Sequence, residues 1–168
     1  MLLPSLLLAL GALVGSAQVR VVSGRADLIA GETVRSITAA SGAVELDGLA
    51  YLEFGPESVI EVRWRGSASA QLHGPASLEV DSGSAPLLRL AAFGTAELEV
   101  RRGSLAVELA GGISLQLAPG AVQVRSLPGG GFEVFHRGGE PLRVRRAGKS
   151  GVETIPGGKR VRLRPVQV

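Results

Sequence analysis

GAVELDGLAYLEFGPESVIEVRWRGSASAQLHGPASLEVD, residues 42–81, decides how this chain folds. Apolar and polar residues alternate through several short runs, each closed by glycine or proline. Val44 and Leu46 are in phase, then Ala50, Leu52 and Phe54, then Ile60, Val62 and Trp64, then Ala76, Leu78 and Val80. Glu45, Asp47, Glu53, Glu61, Arg63, Glu79 and Asp81 take the opposite phase. Successive side chains on a strand point to opposite faces, so a period of two buries one face and wets the other. Asp47-Gly48 reads as a two-residue hairpin turn, and Gly55-Pro56 and Gly74-Pro75 as turns or strand entries.

Outward from this block the rhythm persists. VRVVS (19–23) and ADLIAGETVRSITAA (26–40) precede it as two or three strands with a turn at Gly31. After it come Ala96, Leu98 and Val100, then Leu105, Val107 and Leu109, then Ile113, Leu115 and Leu117, then Val122 and Val124. Gly129-Gly130-Gly131 leads into FEVFH (132–136), and three basic strands close the chain in PLRVRRAG, GVETIP and GKRVRLR. The 24 glycines and 9 prolines favour many short strands over a few helices. No stretch has a sustained 3.6-residue period with caps, so no helix is expected in the mature chain. GPESVIEV (55–62) and GPASLEV (74–80) echo each other without a regular repeat. The expectation is one all-β domain of many short strands, as a twisted β-sandwich or a short solenoid-like β-roll.

The opening MLLPSLLLALGALVGSAQ resembles a secretory signal peptide, with an apolar core from Leu6 to Val14 and small Gly15 and Ala17 before the expected cut. Residues 1–17 are therefore read as a leader cleaved after Ala17 and residues 18–168 as the domain; an uncleaved anchor is the alternative. The expected location is periplasmic or secreted. The mature part has no apolar run of about 20 residues, so no transmembrane segment is expected there. The chain has no cysteine, which excludes disulfides, lipid attachment through cysteine and thiolate metal sites.

Chemistry is sparse. His73 and His136 are the only histidines, His73 in a solvent-facing phase and His136 at the end of its strand, with no carboxylate cluster near either in sequence. No nucleophile elbow or phosphate-binding loop is present. One Trp, one Tyr and four Phe leave few platforms for sugar stacking, and Trp64 and Phe54 fall in the core phase. The reading is a non-enzyme with no cofactor. Charge is uneven: residues 18–136 hold nine basic and thirteen acidic residues, residues 137–168 nine basic and two acidic. Arg143 and Arg145 alternate with Leu142 and Val144, and Arg160, Arg162 and Arg164 with Val161 and Leu163. Like charges on neighbouring strands repel, so these rows either pair with acidic strands such as that of Glu97 and Glu99 or face an anionic partner. Nucleic acid is disfavoured for an exported chain without interleaved aromatics.

In order along the chain, several segments resemble the FecR domain family of bacterial envelope proteins. They are VRVVSGRADLIAGETV, with Leu28, Gly31, Glu32 and Val34 in an L-x-x-G-[DE]-x-V turn, SGAVELDGLAYLEFGPESVIEV, QLHGPASLEV, RRGSLAVEL, LAPGAVQV and EPLRVRRAGKSGVETIPGGKRVRL. The resemblance spans roughly Val19 to Leu163. It implies a β-rich exported domain that binds a protein or an anionic envelope component, with no catalytic residues to carry over. Family members of the iron-transport type control a sigma factor through a cytoplasmic segment, for which this sequence has no counterpart. The alternatives are a structural envelope module or a jelly-roll carrier of lipid or polysaccharide; a small exported hydrolase is a third, disfavoured reading.

Overall fold

A computed structural model describes residues 17–83 and 85–165. The chain is all-β, and its strands form two stacked sheets. Sheet 1 has eight strands, in spatial order β17 (Arg160–Leu163), β14 (Phe132–Gly139), β13 (Gly120–Ser126), β10 (Thr95–Val100), β7 (Ala68–His73), β6 (Val59–Trp64), β1 (Ala17–Ser23) and β4 (Val44–Leu46). Sheet 2 has nine, in the order β16 (Val152–Ile155), β15 (Leu142–Arg146), β12 (Ile113–Leu117), β11 (Leu105–Leu109), β9 (Leu87–Ala92), β8 (Ala76–Asp81), β5 (Leu49–Phe54), β2 (Arg25–Ala30) and β3 (Thr33–Thr38). Pairing is antiparallel except between β9 and β11, which run parallel because β10, between them in sequence, lies in the other sheet.

The alternation in the sequence becomes the inside and outside of this sandwich. Leu52, Ile60, Val62, Leu72, Val80, Leu98, Val107 and Leu115 interdigitate between the sheets, each almost wholly buried. Each such aliphatic side chain contributes about 1.5–3 kcal/mol on leaving water. Val44 alone of the eleven apolar positions read in residues 42–81 is only half-buried, because it sits on the edge strand β4.

Glycine and proline punctuate two different events. Gly31, Gly66, Gly111-Gly112, Gly129–Gly131 and Gly148 close hairpins within a sheet. Gly24, Gly48, Gly55-Pro56, Gly74-Pro75, Gly94, Gly103 and Gly157-Gly158 carry the chain from one sheet to the other. The hairpin expected at Asp47-Gly48 is thus a sheet crossing: β4 pairs only with β1, while β5 pairs with β2 and β8. A type I′ turn needs positive φ at both central residues. Here Gly48 has φ +78° and Asp47 does not. Buried Ser82 holds the crossing, its N–H and its hydroxyl both donating to the Gly48 carbonyl at 3.0 Å.

Two further expectations change, the absence of helix and the place of His136. Among the described residues a single 3₁₀ turn, Ala39–Ser41, is the one helical element, just before β4. Ala17, expected as the last residue of the leader, is the first of β1, fully buried and paired with Leu46 and Trp64. The rest of the expected leader, residues 1–16, lies outside the described residues. The strand beginning at Phe132 runs on to Gly139, so His136 is interior to β14 rather than at its end.

Candidate functional site

The outer face of sheet 2 carries an unbroken row of side chains across all nine strands: Val152, Arg145, Ser114, Glu108, Arg89, Glu79, Tyr51, Ile29 and Val34. Its middle is internally neutralised. Arg89 Nε donates to Glu108 Oε2 at 2.7 Å and another of its nitrogens donates to Glu79. Tyr51 also hydrogen-bonds Glu79. That hydroxyl is the largest single influence lowering the Glu79 pKa below the ordinary carboxylate value, and the hydrogen bond and charge of Arg89 act in the same direction against desolvation. Reciprocally, the hydrogen bond to the Glu79 carboxylate raises the pKa of Tyr51. Because the folded-state value of Glu79 is depressed, its contribution to stability is present above the unfolded carboxylate pKa and is lost as pH falls through the folded one. Tyr51→Phe is expected to move the Glu79 carboxyl pKa upward, read by carbon-detected NMR titration; an unchanged value would assign the shift to Arg89 instead.

At the β15 end of the row the neutralisation stops. Arg143 and Arg145 are exposed, and among the described residues neither has an ion-pair partner. Their cross-strand neighbours are uncharged: Gln116 and Thr154 flank Arg143, and Ser114 and Val152 flank Arg145. Arg143, Arg145, Ser114, Gln116 and Val152, together with Glu108 and Ala106, line a shallow groove of about 330 Å³. Val152, 47% exposed, adds an apolar rim.

Arg160 and Arg162 belong to a different place. They lie on β17 in sheet 1, so the two basic rows of the sequence do not form one surface. Between them they grip Glu133 of β14: Arg160 Nη1 at 2.9 Å, Arg162 Nε at 3.8 Å, with Arg125 Nη2 of β13 at 3.0 Å on the other side. The Glu133 carboxylate is buried to 9% exposure, and the Arg160 guanidinium also stacks 4.8 Å from the Phe135 ring centroid. This is an internal charge ladder. Its acid is Glu133, not the anticipated Glu97 and Glu99, which pair with Arg137 and Arg101. Arg164 is exposed just beyond β17, on the sheet 1 side.

Sequence reasoning did not foresee the burial of Ser58 or His136. Ser58 ties sheet crossings together: its hydroxyl accepts from the Arg25 N–H at 3.1 Å and donates to the Arg25 carbonyl at 2.9 Å, and its carbonyl accepts from the Gly74 N–H at 3.0 Å. His136 is 1% exposed, with Nε2 2.7 Å from the Glu140 carbonyl and Nδ1 buried without a partner. Since a carbonyl can only accept, Nε2 carries a proton and donates it there. A single serine or histidine in an alternating run gives no sign of such a role. Among the described residues no three His, Asp or Glu side chains converge to hold a metal ion, and no helix is long and apolar enough to cross a membrane. No family model, curated protein or solved structure matches the chain.

Proposed function

We propose that this chain is a non-catalytic, exported FecR-like domain that binds a protein or an anionic envelope component, with envelope signalling as the setting of that binding. The docking surface is the sheet 2 groove at Arg143 and Arg145. One observation carries this reading: these two guanidinium groups stand in a groove with uncharged cross-strand neighbours and no ion-pair partner among the described residues, while Arg160 and Arg162 lie on the other sheet and share the Glu133 carboxylate. An unpaired arginine pair two residues apart on one strand face presents two forked donors about 7 Å apart, suited to successive anionic groups. The close packing of apolar side chains between the sheets argues against the carrier alternative, which needs an interior cavity.

Arg143→Glu with Arg145→Glu is the test. Both residues are exposed, so the double variant is expected to melt within a few degrees of the native chain. Its retention of the envelope component that the native chain captures is expected to fall by about tenfold or more, in the range seen for reversed charges at interfaces. Retention equal to that of the native chain would remove this groove as the docking surface.

A further inference from the structure

A second basic site lies on the other sheet, built from segments far apart in sequence. Arg63 and Arg65 come from the β6–β7 hairpin region, and Arg101 from the link between β10 and β11. Backbone hydrogen bonds lock the two segments together: the N–H groups of Arg101 and Arg102 donate to the Ser67 carbonyl at 2.7 and 3.2 Å. Arg102 Nη2 adds a bond to the Gly66 carbonyl at 3.3 Å. Between the segments lies a cavity of about 320 Å³, lined by Arg63, Arg65 and Arg101 with the polar groups of Gln18, Ser67 and Ser69. Trp64 also lines it, 3% exposed and held by its Nε1 donating to the Asp81 carbonyl of sheet 2 at 3.3 Å.

The lining contains three guanidinium groups and no carboxylate. The acids that orient them stand outside it: Glu61 at 2.6 Å from Arg63, Glu99 at 3.2 Å from Arg101 and Glu45 at 3.6 Å from Arg65. Ion pairs with such exposed arginines are weak. A guanidinium has five N–H donors, so each arginine keeps most of its donors after meeting one carboxylate oxygen. The acids thus hold the arginines in place without occupying them.

We infer that this cavity binds a phosphate group carried on a small polar unit. A carboxylate has two oxygens and is satisfied by one guanidinium fork, whereas a phosphate offers three or four oxygens to forks arriving from different directions. The cavity exceeds what one phosphate fills and is at the small end of ligand sites, which leaves room for a glycerol or single-sugar unit. Recognition is electrostatic and weakens with salt, since no exposed aromatic ring stacks on the ligand. The site faces away from Arg143 and Arg145, so it stands or falls independently of the proposed docking groove.

The experiment follows the arginine Nε–H resonances of the native chain by NMR during titration with inorganic phosphate and with glycerol 3-phosphate, at matched ionic strength in chloride. Saturable shifts are expected at Arg63, Arg65 and Arg101, with the exposed Arg35 of edge strand β3, which belongs to neither site, as the internal control that does not saturate. Arg63→Gln with Arg101→Gln, at residues 61% and 78% exposed, is expected to weaken binding about tenfold or more with the melting temperature unchanged. Co-sedimentation with phosphatidylglycerol but not phosphatidylcholine vesicles, lost in that variant, would identify a lipid headgroup as the source. Saturation by glycerol 3-phosphate without vesicle binding would identify a soluble or polymer-borne phosphate. Absence of saturable shifts, equal shifts at Arg35, or unchanged binding in the double variant would overturn the assignment.

Discussion

Ile60→Asp and Leu98→Asp are each expected to abolish the cooperative fold. Ile60 is 0% and Leu98 2% exposed, both between the sheets. Their cross-strand neighbours include Leu72, Val21, Ala70 and Val122, none of which can accept or donate a side-chain hydrogen bond. The loss has two parts: about 1.5–3 kcal/mol of aliphatic burial, and several kcal/mol for a carboxylate without a counter-ion in the interior. Domains of this size have a total stability of only about 5–15 kcal/mol. The expected readout is loss of the cooperative thermal transition by circular dichroism. Val152→Asp, at an exposed position beside Arg145, is the matched control and is expected to change stability by no more than about 0.5 kcal/mol. A cooperative melt of Ile60→Asp close to that of the native chain would refute the assignment of inside and outside faces.

Gly139→Val is expected to have the next largest effect, for a different reason. β13 and β14 close on each other at Gly120 and Gly139, the last rung of their pairing. A Cβ on Gly139 would lie 2.4 Å from both the Gly120 Cα and the Pro119 carbonyl oxygen. The φ of Gly139 is +107°, which an L residue adopts only with strain. Separation of the strands would also break the hydrogen bond from the Glu140 N–H to that same Pro119 carbonyl, at 2.8 Å. Strain and steric overlap together are expected to cost about 2–5 kcal/mol. In a domain of this size that lowers the melting temperature by very roughly 5–15 °C. Gly129→Ala separates the two contributions. Its φ is +83° but nothing lies within 4 Å of its Cβ position, so only the conformational penalty of about 1–2 kcal/mol remains. Equal losses at the two positions would mean that the close approach of the strands contributes nothing.

The candidate sites were legible to unequal degrees. Arg143 and Arg145 could be picked out because two charges in strand phase, beside apolar partners, must point away from a core. The same logic put Arg160 and Arg162 on a polar face, yet could not say that Glu133, 27 positions from Arg160, would sit beneath them. The Arg63, Arg65 and Arg101 cavity left no trace in the sequence, since its halves meet only because β10 pairs with β7 and the chain after β10 bonds to the Ser67 and Gly66 carbonyls. Charge pairing between strands depends on which strands become neighbours, and a charge carries no record of that.

By itself the sequence determined that this protein is a set of short strands, which side chain of each faces inward, and where the chain reverses. Those follow from the two-residue pleat and from the backbone freedom of glycine, both local properties. Only the tertiary structure decided which sheet each strand joins. Gly48 and Gly66 both occupy brief links at positive φ, yet one crosses the sandwich and the other closes a hairpin. A short link leads equally well to the neighbouring strand or to the opposite layer, and the choice rests on which apolar faces meet, a contact between residues far apart in the chain.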